Sequence, residues 1–354
     1  MVSLHYNDFY FFLSPIFLLT FLWLFFFKIN NNSTKGVKTT NTQISVLKIN
    51  PNSTFVGYYL YLFFLNFFVL FTLNGCVLSV LHSHFNLNNY TVYMLYVFII
   101  VGFFCFFLLN CITKKTSLVK SVDYLFSINN IIIILPYLFF VNTTFTFLFL
   151  LELISTIILY NLISSKIWFK ERTKSTNISN NIPQNYINMV FFQYWVTFLG
   201  TIFIIYFYIN MFCLFGSSDW FLLQFFNKIE QNHEIKNNLV RFLVILFIVS
   251  VFLKLGITPF HLFKIEVYKG IPYLSIFFYT TYYFIVFFLF FLSFLSDFLL
   301  FFTPQFYFYF NVSMLIGTIY ILTLLFDINF IKVFFTYSTI INSVGFLTAF
   351  LANI

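Results

Sequence analysis

Charge is scarce in this chain. Asp, Glu, Lys and Arg make up 8% of its 354 residues while 61% are hydrophobic; soluble domains carry about 25% charged residues. So little polar surface cannot cover a water-soluble globule, and a mean hydropathy of +0.94 points to a bilayer as the solvent. Chemical motifs are equally thin. There is no Gly-rich phosphate loop, no Ser/His/Asp arrangement and no pair of carboxylates, which excludes the common nucleotide-binding and hydrolytic sites. Cys76, Cys105, Cys111 and Cys213 lack CxxC or Cys/His metal spacing and read as small buried hydrophobes. His82 and His84 form an isolated HxH, weak as a metal site, and a lipid-modifying enzyme built on them would lack a nucleophile or acid motif beside them.

The first 27 residues contain no Lys or Arg, which argues against a transit peptide and a signal peptide. Alanine occurs only at Ala349 and Ala352, while Phe (62) and Tyr (24) abound. Residues with A/T-rich codons are favoured throughout, as expected of an organelle genome whose product is made in place.

What the chain does have is hydrocarbon in long runs. Apolar stretches of about 20 residues recur ten times, near 9–27, 55–81, 90–112, 124–141, 145–164, 186–213, 239–262, 273–295, 307–326 and 330–352. None alternates with a period of two, which disfavours a β-barrel, and hydrocarbon offers backbone amides no partner outside a helix. The expected fold class is all-α, a polytopic membrane helix bundle of about ten transmembrane helices.

The basic residues orient it. Lys28, Lys35, Lys38, Lys48, Lys114, Lys115, Lys120, Lys166, Lys170, Arg172, Lys174, Lys264, Lys269 and Lys332 fall on one side of the ten-span layout; Lys228, Lys236 and Arg241 fall on the other. Fourteen against three is a strong positive-inside bias. With the positive balance confined to one membrane face, it reads as orientation and not as a nucleic-acid surface.

Two charges do not fit the loops. Glu152, in FLFLLELISTIILYNLI, is the one acid in mid-span, and Lys254, in SVFLKLGITPFHLFKIEVYKGIP, is the one clear mid-span base. A charge at the bilayer centre costs about 2.5–3.5 kcal/mol on insertion scales, so such residues face a protein interior or a hydrated cavity and mark ion or proton paths. Lys254 also precedes a helix breaker. Pro259 has no N–H, so the Leu255 carbonyl loses its usual helical partner, and the ring disfavours α conformation at Thr258. Together with Gly256 this predicts a broken seventh helix, of the kind found beside transporter ion sites. The competing account is a plain kink with Lys254 snorkelling to an interface.

Lys254-x4-Pro259-Phe260-His261-Leu262-Phe263, followed by Glu266-Val267-Tyr268-x-Gly270-x-Pro272, resembles the broken seventh helix of the antiporter-like membrane subunits of respiratory NADH:ubiquinone oxidoreductase, subunit 2 above all. LELIS around Glu152 resembles the fifth-helix motif that bears the glutamate in those proteins. Lys332 with Tyr337-Ser338-Thr339-Ile340 and Gly345-Phe346 resembles their tenth-helix segment. The likeness spans roughly residues 120–354, the PFH segment being the most specific part.

The resemblance implies an antiporter-like fold: three N-terminal helices with basic loops over 1–120, a five-helix repeat over 121–295, and the start of a second repeat over 296–354. It implies a proton pathway through Glu152, Lys254, His261 and Lys332, with Gly256 and Pro259 forming the break and Glu266 at its mouth. Glu152 would modulate Lys254, the pump lysine. The chain itself would bind no cofactor; FMN, iron–sulfur clusters and ubiquinone would belong to the assembled complex. Its partners would be other membrane-arm subunits, a separate chain supplying further C-terminal helices, and membrane lipids. Its place would be the mitochondrial inner membrane, basic loops on the matrix side. The sequence also departs from the family pattern. The sixth-helix lysine falls on Gln193, and the eighth-helix lysine has no counterpart, with Phe284 or a neighbour in its place. A free-standing cation/proton antiporter and a non-pumping structural subunit are the alternatives.

Overall fold

The computed structural model describes residues 78–80, 84–87, 89–113, 122–170, 184–220, 234–298, 304–326 and 331–352. The expected spans at 9–27 and, apart from its last residues, 55–81 lie outside them. Two compact units divide at Phe140.

The first unit contains a short antiparallel ribbon, β1 (Leu78–Val80) and β2 (Phe85–Leu87), in the register Leu78↔Leu87, Ser79↔Asn86, Val80↔Phe85. Leu78–Val80 was expected to close the second helical span. It is extended instead, because its backbone pairs with β2. Next come α1 (Asn89–Thr113) and α2 (Val122–Ile134), the latter tightening into a 3-10 turn at Leu135–Phe140. Helix α1 lies against both. Phe98 stacks on Phe139 at 5.1 Å, and Tyr124, Ile128, Ile131, Leu135 and Leu138 are fully buried.

The second unit holds α3 (Thr144–Lys170), α4 (Gln184–Phe215), α5 (Glu234–Leu255), α6 (Leu262–Gly270), α7 (Tyr273–Phe278), a π turn at Tyr279–Tyr283, α8 (Phe284–Phe298), α9 (Pro304–Leu325) and α10 (Ile331–Ala352). Four helices among the described residues are long and apolar enough to cross a membrane: Thr144–Ser165, Tyr186–Phe215, Tyr273–Leu295 and Ile331–Phe350. Their outward faces are as apolar as their inward ones. On α4, Phe191, Trp195, Phe198, Ile202, Ile205 and Ile209 are all exposed, an arrangement suited to lipid and not to water.

Helix α4 organises this unit, packing against α3, against α5 and against α6. One end is closed by backbone bonds from Thr144 N–H to the Ser218 carbonyl and from Trp220 N–H to the Asn142 carbonyl. Beside it, Phe247 meets Phe147 (5.5 Å), Phe207 (5.0 Å), Trp220 (5.9 Å) and Phe294 (4.5 Å). These rings come from α3, α4, α5, α8 and the Trp220 turn. Hydrocarbon tails are as apolar as Phe, so what such a cluster gains is close contact and not escape from water. Several buried hydroxyl residues are satisfied within their own helices. Ser250, Thr336 and Ser343 are fully buried and donate to carbonyls three residues back on their own helices.

The seventh span, expected over 239–262, stops as a helix at Leu255 and resumes at Leu262. The segment expected to carry Lys264 and Lys269 as a loop is the helix α6, and it buries Lys264, Ile265, Val267 and Tyr268. Those four positions share one side of a 3.6-residue helix, which draws Lys264 inward with the apolar residues.

Phe247→Ala removes a ring that four others touch. It is expected to lower stability by about 3–5 kcal/mol, read as an earlier midpoint in titration from mild detergent into SDS, with helix content unchanged before the transition.

A candidate proton site at a helix break

The break begins with a glycine. Gly256 has φ +65, a left-handed conformation that ends helices and that side chains disfavour. The N–H groups of Gly256 and Ile257 both bond back to the Phe252 carbonyl, at 2.8 and 3.2 Å. The chain then turns through a cis Thr258-Pro259 bond, closed by Phe260 N–H donating to the Ile257 carbonyl at 2.8 Å. Thr258 is fully buried and donates to Met314 Sδ. It lies so close to α9 that a Cβ on Gly317 would fall 2.7 Å from its own.

The carbonyl that Pro259 deprives of a partner does find a donor. Leu255 O accepts a bond from Lys264 Nζ at 3.2 Å, in a buried setting. The Lys264 stem runs across Gly256, where a Cβ would come within 2.8 Å of its Cδ. Its amine also sits 4.9 Å from the Phe284 ring centre and 5.9 Å from that of Tyr268. The resemblance called for an eighth-helix lysine at Phe284 or a neighbour, and here a lysine from α6 faces Phe284.

Lys254 lies on the other side of the break. Its Nζ is enclosed and has no hydrogen-bond partner among the described residues, although the residue as a whole is only partly buried. A snorkelling lysine shows the reverse pattern, with its stem covered and its head in water. The stem passes Gly200 of α4, where a Cβ would sit 3.3 Å from Lys254 Cγ. Glu152 of α3 acts on Lys254 through space without a direct hydrogen bond. The carboxylate of Glu152 is held by its own helix, with Ser155 Oγ donating to Oε2 at 2.7 Å.

The remaining predicted residues are distributed around α6. His261 is its buried N-cap. The Pro259 carbonyl lies near its ring, but neither nitrogen makes a well-formed hydrogen bond, and Tyr320 approaches edge-on at 6.2 Å. Glu266 pairs with Lys269 at 2.5 Å, both about one-third exposed, and so faces away from Lys264 and the break. Lys332 is tied to the far end of α6: its Nζ donates to the Ile271 carbonyl at 2.6 Å and lies 5.1 Å from the Tyr273 ring. Gln193 sits on α4 seven residues before Gly200, half-buried, two turns along the same face.

Sequence reasoning passed over Lys264. The available signal was helical spacing: Val267 and Tyr268 stand three and four residues on, whereas Glu266 and Lys269 point elsewhere. No group of three or more His, Cys, Asp or Glu among the described residues could hold a metal ion.

No protein-family model matches the chain. Over 85 residues, 23% of its length, it is 41% identical to a protein of Paramecium tetraurelia called Uncharacterized mitochondrial protein ORF4. The chain spans about half (54%) of the length of that curated relative.

Because Lys332 supplies a charged donor to the end of α6, Lys332→Met is expected to destabilise the fold by about 1.5–3 kcal/mol. Lys332→Arg should recover most of that loss. Thermal unfolding in detergent checks both.

Proposed function

We propose that this chain is an antiporter-like membrane-arm subunit of mitochondrial NADH:ubiquinone oxidoreductase, contributing to proton translocation while holding no redox centre itself. The observation that carries the reading is the Lys254 amine, enclosed beside a helix break with no hydrogen-bond partner among the described residues and with Glu152 acting on it through space. Support comes also from the PFH segment around the break and from the mitochondrial name of the Paramecium relative. The basic loops face the matrix in this reading, and the fold is the antiporter-like bundle of about ten helices.

The chemistry is proton storage. An enclosed amine without hydrogen bonds holds its proton at an energy set by the charges around it. Two unit charges 4 Å apart interact by about 4 kcal/mol at an effective dielectric of 20, and less as they separate. A small displacement of α3 against α5 changes the Glu152–Lys254 separation and with it the proton occupancy of Lys254. The break supplies the polar backbone, at residues 256–261, through which water can reach the amine. His261 stands buried at the end of that segment, and Lys332 anchors the end of α6. FMN, iron–sulfur clusters and ubiquinone belong to other subunits of the assembly, and its neighbours in the membrane are further antiporter-like chains and lipid.

Lys254→Ala is expected to reduce protons moved per NADH oxidised more than it reduces the amount of assembled complex, with Glu152→Gln milder. The measurement is proton uptake by native membrane vesicles, normalised to complex resolved on a native gel. Equal loss of assembly in both variants would make the two residues a structural pair. Migration of the chain at its own small size, apart from NADH-oxidising activity, would move it to the free-standing antiporters.

A further inference from the structure

Lys264 does more than cap α5. A carbonyl freed by proline needs one hydrogen-bond donor, which water, Ser or Asn could supply; enclosing an ammonium costs several kcal/mol unless its surroundings compensate. The described residues give Lys264 one acceptor, Leu255 O at 3.2 Å, and two aromatic faces, Phe284 and Tyr268. Ring faces favour a desolvated cation by about 2 kcal/mol. The carboxylate of its own helix, Glu266, is taken up by Lys269.

A lysine amine carries N–H groups whether charged or neutral. The bond to Leu255 therefore survives loss of a proton, and the end of α5 stays capped in both states. Leu255 is also the residue next to Lys254, so the carbonyl that Lys264 meets adjoins in the chain the residue that bears the other amine. Both stems cross a glycine, Gly200 for Lys254 and Gly256 for Lys264. His261 stands one turn before Lys264, buried, its nitrogens without well-formed hydrogen bonds. Charge acts between these last two.

We propose that Lys264 is a second proton-exchanging group of this site, receiving the proton that Lys254 releases across the break. In the step the Lys254 ammonium gives one proton to a water in the opening, and that water gives one to the neutral Lys264 amine. Lys254 ends neutral and Lys264 charged, and the total charge of the site is unchanged. This rests on the proton-translocating function proposed above.

Three variants of the full chain in its native membrane test it, read as proton uptake per NADH oxidised and per assembled complex. Arg keeps the charge and the donor but does not release its proton; Gln keeps a donor but takes up no proton. Lys264→Arg and Lys264→Gln are each expected to lower translocation at least tenfold while the chain still assembles. Translocation within twofold of wild type in Lys264→Arg would reduce Lys264 to a fixed charge and cap, and would overturn the proposal. Lys254→Ala run in parallel separates the two ideas. If it alone abolishes translocation, only the role of Lys264 falls; if it has no effect, the proton-translocating function falls with it. Should the Lys264 variants not accumulate, X-ray hydroxyl-radical footprinting of the wild-type chain decides. Oxidation of the enclosed Tyr268 and Phe284 is the expected mark of water beside the amine, and its absence overturns the proposal.

Discussion

A backbone carbonyl that loses its helical partner inside hydrocarbon must be met by another donor, and the architecture of residues 250–272 follows from that demand. Pro259 removes the donor for Leu255, and Lys264 replaces it. For the replacement to reach, the chain has to turn within six residues, which the left-handed Gly256 allows. The Lys264 stem has to pass where a Cβ on residue 256 would stand. Helix α6 must also be held at the right height, and its contacts with α4 and α10 do this.

Helix ends explain the other tethered lysine. The last carbonyls of a helix carry partial negative charge and have no intrahelical partner. In water the solvent meets them. Here Lys264 meets the end of α5 and Lys332 meets the end of α6. Lys254 differs from both in having no hydrogen-bond partner of its own among the described residues. That asymmetry separates cations engaged by the backbone from one that Glu152 reaches only through space. The ring cluster around Phe247 surrounds α5 about two turns before its end, so a close-packed region adjoins one in which the backbone is broken and polar atoms are left over.

Much of this was legible in the residues. Hydropathy is a local property, and eight of the ten runs coincide with helices among the described residues, the other two lying almost wholly outside them. Gly256 and Pro259 read as a break because their backbone restrictions are intrinsic. Lys264 was misread because a lysine after a proline and near Glu266 and Lys269 looks like loop charge; only the helical phase of α6 separates it from them. Lys332 looked like one more basic residue at a span end, since nothing in its own neighbourhood announces a bond to Ile271, 61 residues away. Leu78–Val80 belonged to an apolar run, and pairing with β2 decided its conformation.

The sequence by itself determined that this is a helical protein with runs long and apolar enough to cross a membrane, with a helix broken after Leu255 and one acid and one base set within those runs. Those outcomes depend on the cost of charge in hydrocarbon and on the backbone limits of glycine and proline, which act wherever such residues stand. Tertiary structure alone decided that the freed carbonyl is taken by Lys264, that Lys254 is enclosed within reach of Glu152, and that Lys332 fastens α6. Each of these joins groups on separate elements, and a hydrogen bond or a Coulomb interaction depends on distances that exist only once the helices have packed.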